Sequence, residues 1–386
     1  MPAAIAETCF FVSSDNTKKA FTEMELTGKT VWQQAAGDTN RNYVDICLNW
    51  DVILNGPGYA GPMPDAKETL LKDDWSPRKV TDLRRFSSDM RPGDIVVLRL
   101  GTSQVHGVGE VVGPYEWHDE FGDIDGWDLQ HVRRVKWLWR PVGGPKTFPA
   151  YALNQGDTTQ RLSNGPVFDW LKTLTLSPSG DSTAPKPLPN VSHREISLSE
   201  ISSFLFDHGV ASASISNLLA EIGELMRIGH WYKRSKMPSE HETVAYLVVP
   251  LMRALGWTPQ RMAVEWNRVD LALFERLPRE DKNLCAVVEA KKMDDSCLTA
   301  MSQALGYAQT RSECHRLIVT DGMRFGVYTR PGGGEFKLHA YLNLTRLRDE
   351  YPVYQCGGAR QALLALAPEW KPTSALPSGG QVEEVA

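Results

Sequence analysis

The stretch from Thr173 to Arg194, TLTLSPSGDSTAPKPLPNVSHR, divides this chain. It has no apolar period, and each proline biases the residue before it to extended geometry, so no helix or core strand is expected to cross it. Two modules are expected, residues 1–172 and 195–370, joined by a linker at 173–194. A small, polar tail at 371–386 should fray. At about 100–200 residues per domain, the 386 residues leave room for both modules.

Hydrophobic residues make up 42% of the chain and charged residues 23%, which argues against wholesale disorder or a coiled coil. No window approaches the ~18 consecutive apolar residues of a membrane helix. The opening MPAAIAET has neither a basic segment nor a long apolar run, so no secretory signal is read there. The six cysteines (Cys9, Cys47, Cys285, Cys297, Cys314 and Cys356) form no C-x-x-C pair and read as reduced thiols in a cytoplasmic protein. A formal net charge of −5 supplies no general attraction to nucleic acid, so such a partner must be argued from local patches and chemistry.

The fold class expected is α/β, with the strands of the first half forming a small barrel. IVVLRL at 95–100, a polar turn and VHGVGEVVG at 105–113 make a hairpin pattern. HVRRVKWLWRP at 131–141 reads as a strand with a basic and aromatic face, and a helix is expected around 41–48. The second half opens with helices at 198–206, 214–228 and 239–255. In the third, Val244, Leu247, Val248, Leu251 and Leu255 form one stripe, with Ser239 as N-cap and Gly256 as stop. Strands at 262–266, 269–274 and 284–292 follow, then a helix at 298–310. Two further strands, RLIVT and MRFGVYT, are joined by Asp321-Gly322, a strong hairpin signal.

Acidic residues interrupt two of these apolar strands, Asp270 in VDLALF and Glu289 in LCAVVEAKK. A carboxylate in a buried strand is costly unless it is paired or holds a metal. Strand alternation puts Glu289 and Lys291 on one face. If the Asp270 and Glu289 strands are neighbours across the LPREDKN turn, two carboxylates and an ammonium converge. That set suits Mg²⁺ or Mn²⁺ acting on a phosphate, with the lysine beside the attacking water.

Asp270, Glu289-Ala290-Lys291 and the gap between them resemble the PD-(D/E)XK nuclease superfamily. The pieces SEHETVAYLVVPLMRALGW, RVDLAL, VVEAKK and QALGYA, in that order, resemble the nuclease domain of type I restriction endonuclease R subunits and its standalone relatives. The resemblance covers about 239–329. It implies catalytic roles for Asp270, Glu289 and Lys291, and an acidic metal ligand on the first helix. Glu240 and Glu242 compete for that role; Glu240 is preferred because it shares the stripe of Val244 and Leu247. The family's Gln-x-x-x-Tyr motif falls on Gln303 and Tyr307, one helical turn apart. The family's usual proline before the first aspartate is replaced by Val269. No phosphate-binding loop G-x-x-x-x-G-K-[ST] occurs, so neither a DNA-pumping motor nor an ATP requirement is expected.

The N-terminal half carries Trp32, Trp50, Trp75, Trp117, Trp127, Trp137, Trp139 and Trp170. Its pieces GKTVW, GDTNRNYVDICLNWDVILNGPG and MRPGDIVVLRLGTSQVHGVGEVVGPYEW resemble the EVE branch of PUA-like domains over most of 28–140. That resemblance implies a barrel whose pocket receives a base flipped from its strand. Trp32, Trp50, Trp117 and Tyr59 are candidates for the aromatic wall, and Asp51 for reading the base edge. Arg84, Arg85, Arg133, Arg134 and Lys136 are candidates for the phosphates. Trp137 and Trp139 read as core. Asp119, Asp123, Asp125 and Asp128 lack the spacing of a calcium loop and read as a solvated loop.

Together these readings give a modification-dependent restriction-type endonuclease. Its partner is double-stranded DNA carrying modified bases, its role antiviral defence, and it meets no membrane. One site cuts one strand, so a homodimer is expected. The alternatives are a non-cleaving or an RNA-directed nucleic-acid-binding protein.

Overall fold

The computed structural model describes residues 22–38, 40–176, 186–189 and 195–371. Most of the expected linker, the tail beyond Lys371 and Cys9 lie outside the described residues. The fold is mixed α/β, built around two large sheets. Among the described residues no helix is long and apolar enough to cross a membrane.

The N-terminal sheet contains β1 (Val31–Ala35), β2 (Val52–Asn55), β3 (Ile95–Leu100), β4 (Gln104–Trp117), β5 (His131–Trp139), β6 (Lys146–Thr147) and β7 (Thr159–Arg161). Its strand order is β7-β1-β3-β4-β5-β2, with β6 on β4. Only β1 and β3 run parallel. The two end strands are linked by side chains: Asn55 Nδ2 donates to Thr159 Oγ1 at 3.0 Å, and the Thr159 hydroxyl donates to Gln34 Oε1 at 2.7 Å. Gln34 Nε2 then reaches the Leu54 carbonyl at 2.7 Å, so this buried glutamine is satisfied in both directions. Gly107 and Gly109 of β4 lie under the Trp137 indole, where an added Cβ would stand 3.0 Å from a ring carbon. The helix expected at 41–48 runs over Val44–Trp50. Helices at Lys67–Lys72, Pro77–Arg84 and Pro166–Lys172 go beyond the one helix expected in this half.

The C-terminal sheet contains β8 (Met262–Trp266), β9 (Val269–Phe274), β10 (Leu284–Ala290), β11 (Arg316–Thr320), β12 (Arg324–Thr329), β13 (Lys337–Asn343), β14 (Glu350–Tyr351) and β15 (Cys356–Gly357). The order is β8-β9-β10-β11-β12-β13-β15-β14. The parallel pair β10–β11 is connected by the helix Met301–Ala308, as a parallel crossover requires. Helices cover both faces. Leu271, Leu273, Val288 and Ile318 meet the helices Leu198–Asp207, Ser212–Arg234, 240–254 and Ala359–Leu366. Ala272, Phe274, Val287 and Val319 meet Ala300, Ala304 and Ala308 on the other side. Burial on both faces explains why LCAVVEA shows no polar alternation.

The helix at 240–254 widens into a π turn at Val244–Val248, just before Pro250. A proline there has no N–H to donate and crowds the preceding turn, and a wider turn accommodates it.

Candidate functional site

The carboxylate cluster grows from strand register. Leu271 of β9 pairs with Val288 of β10, which brings the next residues along each strand, Asp270 and Glu289, side by side. Asp270 is anchored: its Oδ2 accepts the Ala290 backbone N–H at 2.7 Å. Glu289 is 1% exposed, and neither of its carboxylate oxygens has a hydrogen-bond partner. Burial first, then the charges of Asp270 and Glu240, push its carboxyl up to about 7, against the opposing pull of Lys291.

Glu240 is the first residue of its helix, and one oxygen each of Glu240, Asp270 and Glu289 lies within 4.8 Å of the others. Lys291 Nζ stands 3.6 Å from Glu289 and 4.0 Å from Glu240, and donates to Gln303 Oε1 at 3.1 Å. Tyr307, one turn beyond Gln303, packs instead against the apolar layer around Ala304. Glu242 is committed elsewhere. Its Oε2 accepts the Ser239 N–H and hydroxyl, both at 2.8 Å, in a reciprocal capping box that also lowers its pKa. The Ser-x-x-Glu spacing of 239–242 carries that assignment in the sequence itself.

The donor set fits a hard divalent cation. Three carboxylates converge beside the Lys291 ammonium, and neither oxygen of the most buried one makes a hydrogen bond, a surplus of negative charge that a bound cation or a proton relieves.

The N-terminal candidates do not gather into one pocket. Trp32, expected at the wall, is wholly buried, and its Nε1 donates to Asp94 at 2.8 Å, so no base can reach its face. Trp50 is half-buried and donates to the Val353 carbonyl of the C-terminal module at 2.9 Å; it is a junction residue. Asp51 ends its helix in the left-handed region and is engaged by Arg140 at 2.8 Å and Lys186 at 3.2 Å. Trp117 and Tyr59 do lie near one loop: Trp117 Nε1 donates to the Gly58 carbonyl at 2.9 Å. The exposed Tyr59 hydroxyl donates to Asp73 at 2.7 Å and accepts from Trp75 Nε1 at 3.1 Å. Trp75, also exposed, joins this group although the sequence does not single it out for the wall.

The basic candidates divide likewise. Arg133 is buried and donates to the carbonyls of Phe86, Ser87, Met90 and Gly113, a backbone clamp that leaves nothing for a phosphate. Arg134 is buried and held by Glu116 at 3.1 Å and the Lys186 carbonyl at 2.7 Å. Lys136 is half-buried in the sheet, opposite Glu110. Arg84 is exposed and pairs with Asp89 at 3.1 Å. Arg85 lines an open concavity of about 410 Å³ together with Asp89, Asp157, Gln160 and Arg161. Arg78 and Arg85 share Asp157, at 2.5 and 2.8 Å, and the Arg161 guanidinium lies 5.4 Å above the Trp32 ring. Arg78 and Arg161 escape a sequence reading, because the strand of Arg161 has three residues and the Asp157 that Arg78 meets lies 79 residues away.

The solvated loop expected at 119–128 is corrected as well. Asp123 and Asp125 are buried against the C-terminal module, where Tyr351 and Asn343 donate to Asp123 at 3.1 and 3.0 Å. Asn343 and Tyr351 lie 220 and 228 residues from Asp123, so local sequence shows only an acidic run.

One protein-family model matches the chain, a domain of unknown function (DUF8426), over residues 32–161. Its first and last residues, Trp32 and Arg161, face each other across β1 and β7, so the match begins and ends on one strand pair of the N-terminal sheet. No curated protein and no solved structure gives a significant match.

Proposed function

We propose that the chain is a divalent-metal-dependent endodeoxyribonuclease of restriction type, its N-terminal module reading the target and its C-terminal module cutting it. The observation that carries this reading is the pair of orphaned Glu289 oxygens facing Asp270 and Glu240, with Lys291 alongside. It agrees with the resemblance of 239–329 to PD-(D/E)XK nucleases.

Asp270, Glu289 and Glu240 supply the ligand oxygens for Mg²⁺ or Mn²⁺. A bound cation would stabilise charge on the phosphate and make an attacking water easier to deprotonate. Lys291 orients that water or holds a non-bridging phosphate oxygen, and Gln303 fixes the lysine through its 3.1 Å hydrogen bond. Tyr59, Trp75 and Trp117 form the aromatic set for an unstacked base, and Arg85 with Arg161 meets the phosphates, in a PUA-like module selecting duplex DNA with modified bases.

The test is Mg²⁺-dependent cleavage, without ATP, of a panel of plain and modified DNA duplexes and of RNA. Cleavage of modified duplex that is lost in Lys291→Ala supports the reading. Cleavage of RNA alone redirects the target. No cleavage of any substrate, with tight duplex binding retained, leaves a non-cleaving binding protein.

A further inference from the structure

The helix bearing Gln303 begins without a cap of its own. The short turn Leu298–Ala300 runs into Met301–Ala308, and neither Cys297 nor Ala300, the residues at the two starts, makes a side-chain cap. The first N–H groups of a helix have no intrahelical acceptor and need one from elsewhere. For the turn that starts this segment, it comes from the other module. The Asp125 carboxylate accepts the backbone N–H groups of Cys297 and Leu298 at 3.2 and 3.1 Å, the Cys297 thiol at 3.2 Å, and the Ser296 hydroxyl.

The turn presenting Asp125 is built for this contact. Ile124 and Trp127 pair across it, Asp125 and Gly126 have φ of 49° and 82°, and the Asp125 N–H donates to Tyr354 Oη at 2.6 Å. Gly126 lets Arg324 pass: an added Cβ there would sit 1.4 Å from a guanidinium nitrogen. Arg324 in turn binds the carbonyls of Asp125 and Asp295 and the carboxylate of Asp321, which accepts the Asp294 N–H at 3.0 Å. The clamped segment, 294–298, lies between Lys291 and Gln303, the two side chains that meet at the carboxylate cluster.

We infer that Asp125 is a positioning residue for the carboxylate centre: the N-terminal module caps the Leu298–Ala300 turn that leads directly into the Gln303 helix, so that the Lys291–Gln303 contact depends on docking of the two modules. The catalytic consequence rests on the nuclease reading above; the capping itself does not. A rearrangement of the N-terminal module on binding its target would reach the cutting site by this route, and the site would be complete only with both modules in place.

The experiment compares full-length wild type with Asp125→Ala, Asp125→Asn and Arg346→Ala. Arg346 pairs with Asp119 at 3.4 Å across the same junction but touches neither the cap nor the cluster. Two readouts are taken: hydrogen exchange of the amides at 297–303, and kcat and KM for Mg²⁺-dependent duplex cleavage. Loss of one cap should speed exchange there about tenfold in Asp125→Ala. Its kcat should fall about tenfold at unchanged KM, Asp125→Asn should recover part of both, and Arg346→Ala should match wild type. Wild-type exchange at 297–303 in Asp125→Ala, or an equal rise throughout the chain, overturns the capping. Faster local exchange with wild-type kcat overturns the positioning role and leaves the nuclease reading intact. If wild type itself does not cleave, the nuclease reading fails and exchange alone decides the cap. Should Asp125→Ala not fold, Asp125→Asn and Ser296→Ala carry the same comparison.

Discussion

Replacing Glu289 by glutamine should stabilise the metal-free protein while destroying its response to metal. The Glu289 carboxyl ionises near 4.5 in an unfolded chain and at about 7 in the fold, because burial and the neighbouring Asp270 and Glu240 charges oppose its ionisation. Between those two pH values the folded state holds a proton that the unfolded chain has lost. Stability therefore declines as pH rises through that window and levels off above it. At about 1.4 kcal/mol per pH unit, ionised Glu289 costs the fold on the order of 3 kcal/mol at pH 8. Glutamine keeps the shape, removes the charge and still buries an unpaired polar group, so a net gain of roughly 2 kcal/mol is expected. The assay is urea unfolding of both proteins in chelator at pH 4.5 and pH 8. The curves should nearly coincide at the lower pH and separate at the higher, with Glu289→Gln the more stable. Adding Mn²⁺ at a hundred times its Kd should stabilise wild type by about 2.7 kcal/mol and leave Glu289→Gln unmoved. A variant no more stable than wild type at pH 8 would refute the claim that this carboxylate is held against its neighbours' charge.

Four further outcomes are expected. Asp270→Ala and Lys291→Ala should each abolish cleavage with the far-ultraviolet circular dichroism of wild type, since each removes a metal ligand or the cation beside the water. Glu240→Ala should weaken Mn²⁺ binding in a calorimetric titration, whereas Glu242→Ala should lower the melting temperature and leave that affinity alone; the reverse pattern would mean the helix face is misassigned. Reversing Arg85 and Arg161 to glutamate should weaken duplex binding and flatten its dependence on log salt by about one for each phosphate that is no longer neutralised. Trp32→Ala should cost the fold about 3–5 kcal/mol in urea unfolding; loss of base selectivity at wild-type stability would instead return Trp32 to the pocket.

Much of the C-terminal module is legible in the sequence because its signals are local. Runs such as LCAVVEA and VDLALF follow from burial on both sheet faces, and Asp321-Gly322 turns one strand into the next. Ser239 and Glu242 form a cap within one helical turn, so the residue that competes with Glu240 is explained at short range. The strand Lys337–Asn343, exposed over its first residues, and the helix Ala359–Leu366, which packs on the sheet far from the motifs, are seen only in the folded chain.

The N-terminal module shows the other side. Tryptophans and arginines are spaced alike in the sequence whether they line a surface or fill a core. Trp32 turns inward to Asp94, Arg133 closes on four backbone carbonyls, and Tyr59 and Trp75 stay exposed. Nothing within a few residues of each distinguishes these fates, because the deciding partners arrive from distant strands and loops. The same holds for Asp125, which reads as one acid in a polar run until the other module brings Ser296, Cys297 and Leu298 to it. Periodicity and capping act over one or two turns of chain and survive in the sequence. The burial of a charge or an indole is set by which remote surfaces meet, and that becomes visible only in the folded chain.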